Sequence, residues 1–164
     1  MKLLQGQRLR QFVEKHIAFF EPENIGQTEL DIRFGNIYWE EVEPLNLINN
    51  RKVHIVSPLT WQTIYKQLPA DHGAFIEPGR FILAEALETF ALPKQVQGML
   101  TLRSWAAKSG LEQSSSLILK AGWQGSLILE LSNSLRRHAL LIPPRAVIGQ
   151  IQFFDISEDR DDLR

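Results

Sequence analysis

Apolar and polar residues alternate over many short segments of this chain, a pattern typical of β-strands with one face on a core. In the segment 28–36, Leu30, Ile32 and Phe34 alternate with polar and charged residues. Similar patterns predict strands over 53–56, 81–86, 89–92, 96–102, 116–119, 126–132, 138–142 and 147–154, with Gly, Asn or Pro between them. Many short strands separated by closely spaced turns predict a mainly β protein, either a barrel or a sandwich.

The first residues follow a helical period instead. Apolar positions between residues 4 and 16 recur at the spacing of one helix face, which predicts a short amphipathic N-terminal helix. Residues 61–68 fit a helical turn or a strand, and periodicity does not decide between them. No repeat or linker divides the chain, so we expect a single domain over residues 1–164 whose charged tail, residues 157–164, is frayed.

Composition narrows the classes of function. The chain has 164 residues, of which 44% are hydrophobic, enough for one domain with a real core. Lys and Arg number 18 and Asp and Glu 19, so a net charge of -1 gives no basic field that would attract a nucleic acid polymer or a membrane. Cysteine is absent, which removes disulfides, thiol nucleophiles and thiolate zinc ligands and favours a cytoplasmic location. We see neither a signal peptide nor an apolar run long enough to span a bilayer.

Candidate chemistry concentrates between Leu102 and Phe154. Glu130 stands in the strand 126–132 with Leu129 and Leu131 beside it, and a carboxyl among apolar neighbours is costly unless it is paired or used. The alternative is a strand residue that points to solvent while both leucines point inward. The four histidines show no metal-ligand spacing, so we predict no zinc site.

Five stretches, in order along the chain, resemble motifs of the dCTP deaminase branch of the trimeric dUTPase-like superfamily. The first is similar to a T-x-D-x-R-L-G strand, the second to a segment running from a Pro-Gly turn to Leu-Pro, and the third to R-S-S-x-A-R-x-G-L. The fourth is similar to a Gly-Trp corner followed by a strand with L-E-h-x-N, where h is apolar, and the last to a closing strand. They span residues 28–36, 77–93, 103–111, 122–133 and 148–151.

The resemblance implies a fold and an assembly. The family fold is a distorted jelly-roll β-barrel, and the expected assembly is a homotrimer with active sites between subunits. It also implies a hydrolase that converts dCTP to dUTP and ammonia by attack of water at cytosine C4, without zinc. Mg²⁺ would enter bound to the phosphates of the deoxynucleotide triphosphate.

The same resemblance assigns roles to particular residues. Glu130 would shuttle protons as the catalytic acid and base, assisted by Lys108, which stands where deaminases usually carry a second Arg. Arg103 and Ser104 would bind phosphate oxygens, because Arg offers a planar fork of donors and Ser a short hydroxyl. Three further substrate-binding residues follow: Ser115 and Ser116 in the loop that meets the pyrimidine edge, and Gln150 near a phosphate or the trimer interface.

Several positions depart from the family pattern and leave alternatives open. Lys120 replaces an Asp that contacts the deoxyribose, Trp105 replaces the second Ser of its motif, and Ile118 replaces an Arg. These departures favour a second hypothesis, a non-catalytic trimer that binds nucleotide or has a structural or regulatory role. A third hypothesis, a dUTP diphosphatase, ranks lowest because that reaction needs an Asp where Lys120 stands.

Overall fold

The computed structural model describes residues 1–42, 47–48, 51–53, 56–58, 61–114 and 118–157, and most of them lie in β-strands. Two helices, α1 Gly6–His16 and α2 Ser104–Lys108, and single 3-10 turns at Pro22–Asn24 and Trp61–Ile64 complete the regular structure within these ranges. The strands are β1 Lys2–Leu3, β2 Ile17–Ala18, β3 Leu30–Glu41, β4 Leu47–Ile48, β5 Arg51–Lys52, β6 Tyr65–Pro69, β7 Ala74–Ile76, β8 Phe81–Ala91, β9 Val96–Leu102, β10 Leu111–Gln113, β11 Ile118–Leu119, β12 Gln124–Asn133, β13 Leu140–Ile142 and β14 Val147–Asp155.

One large antiparallel sheet organises the described residues. Its path runs β10-β12-β8-β3-β14-β9-β11, and β1, β2 and β6 pair with β14, β8 and β3 beside it. Two small sheets, β7 with β13 and β4 with β5, lie apart from this path. The sheet curls into a half-barrel, which confirms the predicted mainly β fold with a short N-terminal helix. No helix among the described residues is long and apolar enough to cross a bilayer.

The core lies inside the curl of the sheet. Leu30, Ile32 and Phe34 of β3 are fully buried, as alternation predicts for a strand with one inward face. Helix α1 closes one side with Leu9 and Val13, both fully buried. Each such side chain contributes about 1.5–3 kcal/mol by leaving water, so these positions fix which face of each strand points inward.

Three stretches differ from the sequence-based expectation. The separate strand over 89–92 is wrong, because β8 continues without a break to Ala91 and pairs there with β12 and β2. Residues 61–68 contain both alternatives, a 3-10 turn followed by β6. Val53 and Val56 lie outside any strand, and residues 54–55, 115–117 and 158–164 lie outside the described residues, with most of the predicted tail among them.

A buried ion pair connects β3 and β8 within the core. The Arg33 Nε donates to Glu88 Oε1 at 2.7 Å and its backbone N–H donates to Glu88 Oε2 at 3.0 Å, while Nη1 donates to Glu21 at 2.9 Å. Burial raises the pKa of Glu88, against the opposing hydrogen bonds from Arg33. Burial alone would lower the pKa of Arg33, but Glu88 and Glu21 raise it. The pair therefore stabilises two charges that would be costly alone.

Gly110 joins helix α2 to β10 and takes a backbone conformation that L-residues rarely adopt. Its φ is +92°, and a Cβ built there would lie 2.5 Å from Leu135. We expect Gly110→Ala to lower the free energy of unfolding by about 1–3 kcal/mol through backbone strain, with the clash adding to it. Urea unfolding of Gly79→Ala is the matched control, since Gly79 has a φ of +71° and open space around its Cβ. A smaller loss for Gly110→Ala than for the control would contradict the expectation.

Candidate active site

Strand β12 presents Glu130 on the outer face of the sheet. Leu129 and Leu131 are buried on the other face, while Glu130 is half-buried and lies directly opposite Leu83 of β8. Of the two orientations considered from the sequence, the structure has the one in which both leucines point inward. The carboxylate is therefore accessible from outside the core. Strand β12, which carries it, is paired with β10 on one side and with β8 on the other.

A broad cavity opens on this outer face, lined by neighbours of Glu130 in the sheet and not by Glu130 itself. Its volume is about 570 Å³, and its lining includes Leu83, Ile128 and Tyr65, of which Leu83 is the cross-strand partner of Glu130. Burial raises the pKa of Tyr65, and the negative charges of Glu41 and Glu130 raise it further. The carboxylate of Glu130 is therefore close enough to influence the Tyr65 hydroxyl in the cavity wall. Sequence reasoning did not find Tyr65, because the ambiguous segment 61–68 gave no hint of which face it would join.

Arg103 closes β9 at the other end of the candidate site. Its backbone N–H donates to the Ile148 carbonyl at 2.9 Å. Its Nη1 donates to Gln150 Oε1 at 2.5 Å and lies 3.4 Å from Asp31 Oδ1. The structure thus brings together two of the predicted residues, Arg103 and Gln150, and adds Asp31, to which the sequence analysis assigned no role.

Asp31 is the more buried partner in the ion pair with Arg103. Its side chain is 19% exposed, against 34% for Arg103. Burial raises the pKa of the Asp31 carboxyl, the Arg103 guanidinium opposes that shift, and the Glu29 charge adds to it. Among the described residues Oδ1 has no hydrogen-bond donor, so the charge of Arg103 is its main compensation.

Helix α2 carries Ser104 and Lys108 directly after Arg103. Both are exposed, as is Trp105, while Ala106 anchors the helix in the core. The sequence analysis did not predict this helix. Ser115 and Ser116 lie outside the described residues, so their assignment to the pyrimidine edge stays a prediction.

The two groups of predicted residues lie in different parts of the sheet. Three strands, β8, β3 and β14, separate β12 with Glu130 from β9 with Arg103. Ser134 donates from its backbone N and its Oγ to the Gly110 carbonyl at 2.9 and 3.0 Å. Glu130 precedes Ser134 by four residues, which is about 13 Å at the rise of a β-strand. The end of α2 is therefore not in hydrogen-bonding contact with Glu130.

The residues that depart from the expected motifs lie at the surface. Lys120 is exposed in the turn before β12, where its carbonyl accepts the Trp123 N–H at 3.0 Å. Ile118 and Trp105 are each about half exposed. Within the residues that the structure describes, no three His, Cys, Asp or Glu side chains are grouped so that they could hold a metal ion.

Known proteins resemble this chain over most of its length. A family model described as dCTP deaminase-like matches residues 3–156. The dCTP deaminase, dUMP-forming, of Persephonella marina is 28% identical over 162 residues, covering 95% of this chain and 85% of that protein. The dCTP deaminase of Buchnera aphidicola is 30% identical over 129 residues, covering 76% of this chain and 66% of that protein.

A solved structure shows the same fold. The 2'-deoxycytidine 5'-triphosphate deaminase of Agrobacterium tumefaciens matches with a TM-score of 0.70 at 17% identity, over 93% of this chain. This chain spans about half of that one, since the match covers 47% of its length. The likeness confirms the predicted mainly β fold, which this chain shares with that deaminase. Because the family model accounts for nearly the whole sequence, the chain belongs to the dCTP deaminase-like family.

Proposed function

We propose that this protein deaminates dCTP. Water adds to cytosine C4, the 4-amino group leaves as ammonia, and the base becomes uracil. The observation that carries the proposal is the placement of Glu130, which stands half-buried on the outer face of β12 beside the cavity lined by Tyr65, Leu83 and Ile128. A carboxylate in that position can take a proton from water and return it to the leaving nitrogen.

The substrate's phosphates are assigned to the second group of residues. Arg103 is held at Nη1 by Gln150 and Asp31, and Ser104 and Lys108 follow on an exposed helix. The guanidinium of Arg103 and the hydroxyl of Ser104 are suitable donors for phosphate oxygens. In the proposed reaction Lys108 assists at the base, and Mg²⁺ enters bound to the triphosphate.

An active site formed between two copies of the chain would bring Glu130 and the residues around Arg103 together, although they lie apart within one copy. Glu130 and Arg103 lie on strands separated by three others, and the Gly110 end of α2 is about 13 Å from Glu130 by strand rise. In a homotrimer, helix α2 of one copy would approach the outer face of β12 of the next. The exposed Trp105 and Ile128 are apolar groups that such an interface would cover.

A direct assay tests the proposal and separates the products. The protein is incubated with dCTP and Mg²⁺, ammonia is measured with a coupled enzyme, and nucleotides are resolved by ion-exchange chromatography. We expect ammonia and dUTP in equal amounts. Formation of dUMP with pyrophosphate is the second candidate, because the Persephonella marina relative is named as dUMP-forming.

Two other outcomes would replace the proposal. Binding of dCTP in a titration without any ammonia release would favour the non-catalytic nucleotide binder, for which Lys120 and Trp105 are the motivating residues. Hydrolysis of dUTP without deamination of dCTP would favour the diphosphatase.

A further inference from the structure

Three neighbouring strands bring Asp31, Gln150 and Arg103 to one place. In the β3–β14 ladder Asp31 is the partner of Gln150, and in the β14–β9 ladder Gln150 is the partner of Thr101. Arg103 follows Thr101 by two residues, directly after the end of β9, where its extended backbone continues the alternation of the strand. The arrangement is therefore set by strand register, which makes it stiffer than a contact between loops.

Gln150 and Asp31 lie at the same nitrogen of the guanidinium, Gln150 through a hydrogen bond and Asp31 through an ion pair. Gln150 Oε1 accepts from Nη1 at 2.5 Å, and Asp31 Oδ1 lies 3.4 Å from that atom. An Arg side chain offers five N–H donors in a planar fork, and two parallel N–H groups can bind an oxyanion together. Within the described residues no protein hydrogen bond or ion pair engages Nε or Nη2. The Nε–Nη2 edge is thus the one left for a ligand.

Within the group of Asp31, Gln150 and Arg103, the carboxylate of Asp31 lies deeper than the guanidinium of Arg103. Asp31 is the less exposed partner at 19%, and Arg103 covers it at 34%. The Asp31 Oδ1 atom is buried without a hydrogen bond from any described residue. Its carboxylate therefore depends on the guanidinium, and the guanidinium is held against a fixed negative charge on its inner side.

We propose that Asp31 is the positioning residue for anion recognition by Arg103: with Gln150 it fixes Nη1, so that the Nε–Nη2 edge faces the phosphates of the nucleotide. This inference deepens the proposed function and rests on it for the identity of the ligand. A held Arg side chain has less rotamer freedom to lose when the anion binds. The contribution of Asp31 is expected in ground-state affinity and not in the chemical step.

Inorganic tripolyphosphate tests the inference without requiring turnover. Its affinity is measured by isothermal titration calorimetry for the full chain and for Asp31→Asn, which removes the charge at nearly constant shape. We expect Asp31→Asn to bind roughly three- to tenfold more weakly, the size expected for immobilising one long side chain. With dCTP, KM should rise by a similar factor while kcat stays within about twofold.

Moving the carboxylate from position 31 to position 150 provides a rescue experiment. The double variant Asp31→Asn with Gln150→Glu moves the carboxylate to the other partner of Nη1, and we expect it to regain most of the lost affinity. Asp71→Asn, an exposed acid in the turn after β6, is the matched control and should bind as wild type. If Asp31→Asn fails to fold, Gln150→Leu removes the hydrogen-bond acceptor of Nη1 and should also weaken tripolyphosphate binding.

The possible outcomes test three statements separately: the positioning role of Asp31, the anion-binding role of Arg103 and the proposed reaction. A folded Asp31→Asn that binds as well as or better than wild type overturns the positioning role, since the carboxylate would then be neutral or a competitor of the anion. Loss of the affinity in Arg103→Gln but not in Asp31→Asn overturns positioning alone, and retention in both overturns Arg103 as the anion ligand as well. If the binding results are as expected while dCTP is not deaminated, the proposed reaction fails and the positioning role stands.

Discussion

Replacing Glu130 by Gln is expected to slow ammonia release from dCTP by about 10²–10⁴-fold, the usual contribution of a positioned acid–base group. Gln has nearly the same shape and can still donate and accept hydrogen bonds, but it cannot take a proton from water. The affinity for dCTP should therefore change by only a few-fold, so that the loss appears in kcat. Steady-state kinetics with dCTP, combined with a binding titration of the nucleotide, measure the two quantities separately.

Glu85 provides the matched control for this prediction. It is a half-buried carboxylate on the neighbouring strand β8, opposite Ile128, and its Oε1 accepts a hydrogen bond from Ser126 at 2.8 Å. The same exchange of Glu for Gln there should leave kcat within about threefold, because a surface substitution away from the reacting atoms has a small effect. Equal losses in both variants would indicate a general effect of the outer face, and an active Glu130→Gln would remove Glu130 from the chemistry.

The architecture was predictable because alternation reports burial directly. A strand that exposes one face must place apolar residues at every second position, and β3 and β12 follow this rule closely enough to be found from the sequence. Helix α2 was not predictable in the same way. Its five residues are too few to show a helical period, and a helix this short depends on its packing through Ala106.

The site could be predicted only residue by residue, not as an arrangement. The sequence pointed to Glu130, Arg103 and Gln150 singly, and the structure shows that two of them touch while the third lies three strands away. Register between strands decides such contacts, and it depends on bulges that the sequence does not display. In the β12–β8 ladder, for example, the pairing shifts between Ser126 and Ile128.

Asp31 shows what was missing from the sequence reading. It was visible as a polar position within a half-buried strand, but its partner follows it by 72 positions and reaches it across β14. Nothing local distinguishes it from an ordinary outward-facing acid. Its significance comes from burial and from the ion pair with Arg103, both of which are properties of the folded sheet.

The largest effect on stability is expected from Glu88→Gln. Arg33 is 6% exposed and Glu88 is fully buried, and the two are joined by hydrogen bonds of 2.7 and 3.0 Å. Glu88→Gln leaves the buried Arg33 charge with the half-exposed Glu21 as its remaining ion-pair partner, and breaking a buried pair costs about 3–5 kcal/mol in the free energy of unfolding. Urea unfolding at one fixed protein concentration, followed by circular dichroism, measures the change.

Two further variants separate burial from charge in this prediction. Glu41 and Arg80 form an exposed pair at 3.4 Å, so Glu41→Gln should lower the free energy of unfolding by no more than about 1 kcal/mol. The double variant Arg33→Met with Glu88→Leu removes both charges and should recover much of the stability lost in Glu88→Gln, because apolar side chains need no compensation in a core. A double variant less stable than Glu88→Gln would show that Arg33 stabilises the fold mainly through its contacts with Glu21 and the Phe19 carbonyl. In that case the anchoring of the segment before β3, rather than the neutralisation of Glu88, would be the reason that the core keeps a buried cation.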